Sequence, residues 1–322
     1  GMHDNSGDPN RQGFDEFFGY LDQKQAHNHY PSHLWENGKR YPLGNPEKFV
    51  HRPLDPKTAT EEDFEWFKGN DYAPERITEK ALHFVEQHRD RPFFLYLPYT
   101  LPHVSLQVPD EHLAEYRDAF GDSPYYGQDG YAAHRYPRAA YAAMITFLDA
   151  QVGRIMQHIR NLGMDENTIV LFSSDNGPTF NGGVDHRFFD STGGLRGLKA
   201  DLFEGGIRVP FIARWPGRIP PNTVSNHLSA QYDLMATFAE LLDLPPPETD
   251  GISLLPTLLQ SGRQRQHDFL YFAFPEKGGQ VAIRFGRWKA LKIGLKDHPD
   301  TPWMLFDLEE DPNEEKELRI KN

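Results

Sequence analysis

Apolar residues recur along this chain with two periods. From Ala139 to Leu162 they stand three and four apart at Ala140, Met144, Phe147, Leu148, Val152, Ile155, Met156, Ile159 and Leu162, the spacing that lays one apolar stripe along a helix. Gly163 follows and suits the left-handed residue that closes a helix. The same period marks a helix from about Ala73 to His88, through Ile77, Ala81, Leu82, Phe84 and Val85, and a shorter one over "DLMATFAELL", 233–242. Between these lie apolar runs of strand length: "PFFLYLPYT" (92–100), "NTIVLFSS" (167–174) and "RVPFIARWP" (208–216). Strand and helix thus alternate from 73 to 242, which predicts an α/β fold, a mostly parallel sheet sandwiched by helices.

The two ends have another character. Residues 1–70 are rich in Gly, Pro, Asn, His and aromatics and read as ordered loop rather than regular helix or sheet. Past the polar "QSGRQRQ", "QVAIRFGRWKALKI" (280–293) predicts a hairpin turning at Phe285–Gly286–Arg287. "WMLFDL" (303–308) adds a third strand, and an acidic helix starts near Asp311. This is a small C-terminal antiparallel sheet subdomain, so the domains are drawn as 1–262 and 263–322.

Composition narrows the function classes. The 322 residues are 13% aromatic and 25% charged, a folded globular chain. A formal charge of −13 argues against nucleic acid, whose phosphates want clustered Lys and Arg. No apolar run approaches the ~18 residues of a membrane span. The absence of cysteine excludes disulfides, Cys-based zinc sites and a thiol nucleophile. "GMHDNSGDPN" has no basic segment before an apolar core, so no signal peptide is read there, and Gly1 before Met2 reads as a residue left by tag removal.

Candidate chemistry starts at "LFSSDNGPTF", 171–180. Asp175, Asn176, Gly177 and Pro178 halt a strand abruptly. Such residues form turns, yet Asp175 and Asn176 are equally two hard oxygen ligands for a cation; the stretch alone allows both. In parallel sheets ligands sit outside the carboxyl ends of strands. Thr100–His103 and Asp175–Asn176 both follow predicted strand ends, so neighbouring strands would bring them to one mouth. Lys199, in "GGLRGLKADLFEGGIRVP", is either a solvated surface lysine or an ammonium held by a constrained backbone. His27, His29 and His33 form a candidate zinc set, but no acidic or Cys partner stands at a recognisable spacing, and packing is the plainer reading.

These motifs together resemble the sulfatases of the alkaline phosphatase superfamily. "SSDNG" with "FFDSTGGLRGLKADLFEGGIRVPFIARWPG" resembles the stretch carrying a calcium-ligand pair and a sulfate-binding lysine. "YLPYTLPHVSLQVP" is similar to the loop that supplies an active-site histidine. "GFDEFFGYLDQ", "YAAMITFLDAQVGRI", "DLMATFAELL", "DGISLLPTLL" and "RFGRWKALKI…MLFDLEEDPNEEKEL" follow in the family's order. The resemblance implies an alkaline phosphatase-like fold and calcium bound by Asp175 and Asn176. It also implies that Lys199 contacts the sulfate group and that His103 contacts the ester and protonates the leaving oxygen. The chemistry agrees, since cationic groups aimed at developing oxyanion charge lower the barrier and an imidazole changes protonation near neutral pH. The implied partner is a sulfate ester of a sugar, aryl or similar group, and the implied location is exported.

The resemblance also implies features that this sequence lacks. Family members carry an earlier pair of aspartates, a C/S-x-P/A-x-R motif whose Cys or Ser becomes formylglycine, and a motif resembling G-K-W-H-x-G. There is no Cys here, and the nearest serine candidate, "SGRQR" at 261, has Arg in the third position. The chain is therefore expected to be the C-terminal portion of a sulfatase, N-terminally truncated, with an incomplete calcium site. It is expected to be inactive alone for want of the nucleophile, and to self-associate over its uncovered face. Alternatives are a phosphatase or phosphonate hydrolase of the same superfamily, or a non-catalytic binding remnant.

Overall fold

The structure is a computed structural model in which residues 6–318 are described; the readings of Gly1 and Met2 lie outside that range. The chain packs as two units, residues 1–164 with 180–185, and residues 165–179 with 186–322.

The first unit opens with more regular structure than the composition suggests. Strands β1 (Phe18–Gly19), β2 (His33–Glu36) and β3 (Lys39–Pro42) form an antiparallel sheet, with α1 (Gln23–Ala26) after β1. Trp35 pairs with Arg40 and Glu36 with Lys39 across the β2–β3 hairpin. Its turn is Asn37–Gly38, at φ 48° and 76°, the Asn-Gly pair that fits a type I′ hairpin. The expectation of loop throughout is corrected: strands of two to four residues are too short to show a period. After α2 (Glu61–Glu65) come α3 (Ala73–Gln87), α4 (Asp110–Leu113) and α5 (Pro137–Asn161). Both long helices stand within two residues of their predicted ends. Each carries Pro in its first turn, where the missing N–H costs nothing. Their apolar stripes meet: α3 buries Ala81 and Val85, and α5 buries Met144, Phe147, Ile155 and Ile159. Gly163 takes φ 71° just past α5. Residues 92–100 form no strand; Phe94 and Tyr96 stand 59% and 65% exposed, so this run has the length of a strand without a ladder to join.

In the second unit β4 (Val170–Ser173) pairs with β5 (Phe211–Arg214), and α6 (Glu204–Ile207) lies between them in sequence. The pairing is antiparallel, Val170 opposite Arg214 and Ser173 opposite Phe211. This overturns the parallel sheet: every ladder among the described residues is antiparallel. Alternation of elements in sequence fixes neither neighbour nor direction, and the long connection from Ser174 to Pro210 returns β5 beside β4 in the opposite sense. Arg214 closes the ladder with two 2.6 Å bonds to the Asp165 carboxylate. Helices α7 (Asp233–Leu241) and α8 (Leu255–Leu259) follow. A four-stranded sheet completes the unit, with β6 (Leu270–Phe274), β7 (Gln280–Phe285), β8 (Trp288–Ile293) and β9 (Met304–Asp307) in sequential order. The hairpin and third strand match the sequence reading, and β6 adds an edge that it lacks. The acidic helix near Asp311 does not form. Asp311 instead accepts from the backbone N–H of Glu315 and Lys316, local bonding that competes with a helix. Ala282, Leu291 and Phe306 on this sheet pack with Leu202 and Phe203 as the buried core.

Candidate functional site

Two backbone segments of the second unit meet where β4 ends. Gly177 N–H donates to the Gly206 carbonyl at 2.9 Å, and Lys199 N–H donates to the Pro178 carbonyl at 2.8 Å. Ser174 Oγ donates to the Asn176 carbonyl at 3.0 Å. Asp175, Asn176 and Lys199 are thereby gathered in one loop pair, Asp175 exposed and the other two half-buried. The glycines explain themselves by contact. A Cβ on Gly177 would lie under 3.0 Å from the Gly205 carbonyl, one on Gly205 would strike the Gly197 carbonyl, and one on Gly206 the Asp201 carbonyl. Backbone touches backbone here, and only glycine leaves the room.

The Lys199 loop is braced from behind. Ala200 is held at φ 71°. Asp201 accepts from Leu198 N–H at 3.0 Å and pairs with Lys277 at 2.7 Å. Buried Gln280 donates to the Ala200 carbonyl at 3.0 Å and accepts from Leu202 N–H at 3.2 Å. Beyond it lies a fully buried charge triad, with Lys289 Nζ 3.0 Å from Glu204 Oε1 and 2.9 Å from Glu314 Oε1. Glu314 also accepts from Glu204 N–H at 2.6 Å. Burial pushes the Glu314 carboxyl above its ordinary range, against the pull of Lys289. By contrast, the ammonium of Lys199 makes no hydrogen bond or ion pair among the described residues. Lys199 is thus a half-buried cation on a braced loop, without a carboxylate partner among the described residues.

Gln280, Lys289 and Glu314 are residues that the sequence reading missed. One signal for Lys289 was present: it shares the inward face of β8 with Leu291, and a lysine on the buried face of a strand needs buried partners.

His103 belongs to the first unit. Its Nδ1 lies 2.6 Å from the Val104 carbonyl, which only accepts, so Nδ1 carries a proton. The ring stacks on His27 at 5.2 Å and 10°, and His27 stacks in turn on His51 at 5.4 Å, with Tyr131 5.1 Å from His27. His29 lies behind, fully buried, its proton affinity lowered to about 3 by burial first and then by His103 and His27. The zinc reading ends here. His29 turns its ring to Tyr72, while His33 contacts Gln25 and Trp35.

Calcium is corrected too. Among the described residues no group of three or more His, Cys, Asp or Glu could hold a metal ion. Asp175 and Asn176 offer two side chains where calcium takes 6 to 8 oxygens, so the donor set does not fit a resident cation. With no cysteine in the chain, no Cys-derived formylglycine forms in it either.

A model of the sulfatase family matches residues 1–244. The chain belongs to the sulfatase family. A second model, for the C-terminal part of N-sulphoglucosamine sulphohydrolase, matches residues 185–322. Human arylsulfatase A is 34% identical over 257 residues, 72% of this chain and 45% of that protein. N-acetylgalactosamine-6-O-sulfatase of Bacteroides thetaiotaomicron is 31% identical over 265 residues, 75% and 46% of the two. The chain spans about half the length of these relatives. Among solved structures, Ps i-CgsB superposes with a TM-score of 0.74 at 26% identity, covering 97% of this chain and 64% of that one. A phosphonate monoester hydrolase of Agrobacterium radiobacter shares the fold at 19% identity and a TM-score of 0.57, covering 84% of this chain and 61% of that one. The two family matches run from residue 1 to residue 322. The sulfatase reading itself is upheld, but an isolated C-terminal portion, truncated at its N-terminus, is not supported, and neither is the inactivity inferred from truncation.

Proposed function

We propose that this sulfatase-family protein hydrolyses sulfate esters, water supplying the oxygen that bonds to sulfur and the proton taken by the leaving oxygen as the ester S–O bond breaks, with Lys199 holding the sulfate group. The observation that carries the reading is the half-buried Lys199 ammonium, unpaired among the described residues on a loop fixed at Pro178, Ala200 and Leu202. An ammonium held in place stabilises charge spreading over transferring oxygens better than one that must be ordered first. A sulfated saccharide is the substrate class, supported by the sugar sulfatase among the relatives and by the bound neocarrahexaose in a complex of Ps i-CgsB. An exported location accompanies family membership, and no described helix is long and apolar enough to cross a membrane.

The test is release of inorganic sulfate from sulfated saccharides and from 4-nitrophenyl sulfate. Lys199→Ala is expected to lower kcat/KM by about 10²-fold or more, the scale of losing one oxyanion contact. Faster turnover of phosphate or phosphonate monoesters would transfer the reading to another branch of the superfamily, and no release from any sulfate ester would refute it.

Self-association accompanies this reading. Phe172 and Ile212 stand opposite each other on the β4–β5 ladder, 38% and 60% exposed on one face, an apolar surface of the kind that a second copy covers. Light scattering is expected to give a dimer or larger species that Ile212→Lys disperses; a monomeric wild type would count against it.

A further inference from the structure

We propose that Gln280, at the start of β7, is a positioning residue for Lys199, so that the C-terminal sheet sets the geometry of the anion contact. The inference rests on Lys199 meeting the anion, as proposed above. Lys199 has two flanking anchors. On one side its own N–H is tied to the Pro178 carbonyl. On the other, the chain turns through Ala200 in the left-handed region, at φ 71°, where a residue with a Cβ persists only if its surroundings hold it.

Gln280 supplies that hold. The residue is 5% exposed and its amide spends both ends on the loop, the Nε2 donating to the Ala200 carbonyl and the Oε1 accepting from Leu202 N–H. A planar amide that grips one carbonyl and one N–H two residues apart fixes the Ala200–Asp201 and Asp201–Leu202 peptides, and so holds the backbone one residue past Lys199. The direction in which the Lys199 side chain leaves the backbone is then set from β7. Lys277, on the turn before β7, adds an ion pair to Asp201 but is 39% exposed and screened by water, so it contributes less. Gln280 touches neither substrate nor reacting atoms, and its effect passes through Lys199.

The experiment is a double-mutant cycle read by calorimetric titration with inorganic sulfate, with hydrogen exchange of the peptides covering 196–206 in parallel. Gln280→Met keeps the length of the side chain and removes both bonds. It is expected to speed exchange at Leu202 and its neighbours and to weaken sulfate binding by roughly 5-fold or more, the scale of a lost buried hydrogen bond. Lys199→Ala weakens binding further, and adding Gln280→Met to Lys199→Ala produces no additional loss, because coupled positions are not additive. General destabilisation would lower affinity in both backgrounds. If Lys199→Ala weakens sulfate binding while Gln280→Met leaves it unchanged, or if the two losses simply add, the positioning role is overturned and the functional reading stands. If Lys199→Ala itself has no effect on sulfate binding, the functional reading falls, and so does the use proposed for Gln280.

Discussion

Lys289→Met is expected to lower folding stability by about 3–5 kcal/mol, the range for removing one partner from a buried ion pair. The side chain is fully buried between Glu204 and Glu314, and its loss would leave two carboxylates facing each other away from water. Glu314→Gln is expected to do far less, within about 1 kcal/mol near neutral pH, because Lys289 and Glu204 then remain as a balanced pair. The pH dependence separates the two variants. Glu314 has its folded pKa raised, chiefly by burial. Its contribution is therefore complete below the ordinary glutamate range and fades as pH climbs through the raised folded value. Glu314→Gln should flatten stability against pH above that range, while the Lys289→Met deficit should shrink toward acid pH as the paired carboxyls take up protons. Urea unfolding followed from acid pH, below the ordinary glutamate range, to mildly alkaline pH measures both. Equal losses from the two substitutions at every pH would contradict the triad's charge balance.

Gly177→Ala is expected to cost about 3 kcal/mol or more, at or beyond the upper end of overpacking penalties. A single methyl would enter the Gly205 carbonyl and the Gly206 Cα at once, and backbone cannot swing aside as a side chain can. The hydrogen bond from Gly177 N–H to Gly206 would break with it. Since Lys199 hangs from the next residue, Pro178, the substitution should weaken anion binding beyond its effect on stability. Gly153→Ala is the control, since nothing lies within 4 Å of its added methyl and alanine suits a helix interior better than glycine. The melting temperature and sulfate affinity of the two variants provide the comparison. A Gly177→Ala protein with wild-type values for both would remove the reason given for this glycine.

Helices were the legible part of this chain. The stripes through Ala81 and Val85 on α3 and through Met144, Phe147 and Ile155 on α5 locate themselves because burial on one face demands the period. Strand direction was not legible. β4 and β5 are four-residue strands with three apolar residues each, and such short runs carry no mark of which neighbour they pair with or in which sense. The short N-terminal hairpin was readable only at Asn37–Gly38, through turn chemistry rather than hydrophobic pattern. At the site, the motif around Lys199 was visible as glycines flanking a lysine, but its brace was not. Gln280 and Lys289 lie far along the sequence from the loop they hold, and nothing local marks a glutamine whose work is to grip a distant backbone. Asp175 and Asn176 were over-read as the core of a calcium site; two oxygen donors beside a turn are equally what a turn requires.

Calorimetric titration of one saccharide in sulfated and desulfated forms tests the central claim most directly. The account expects the wild type to prefer the sulfated form strongly, and Lys199→Ala, its melting temperature unchanged, to weaken that binding markedly. Equal affinity for the two forms, or undiminished binding by Lys199→Ala, would contradict it.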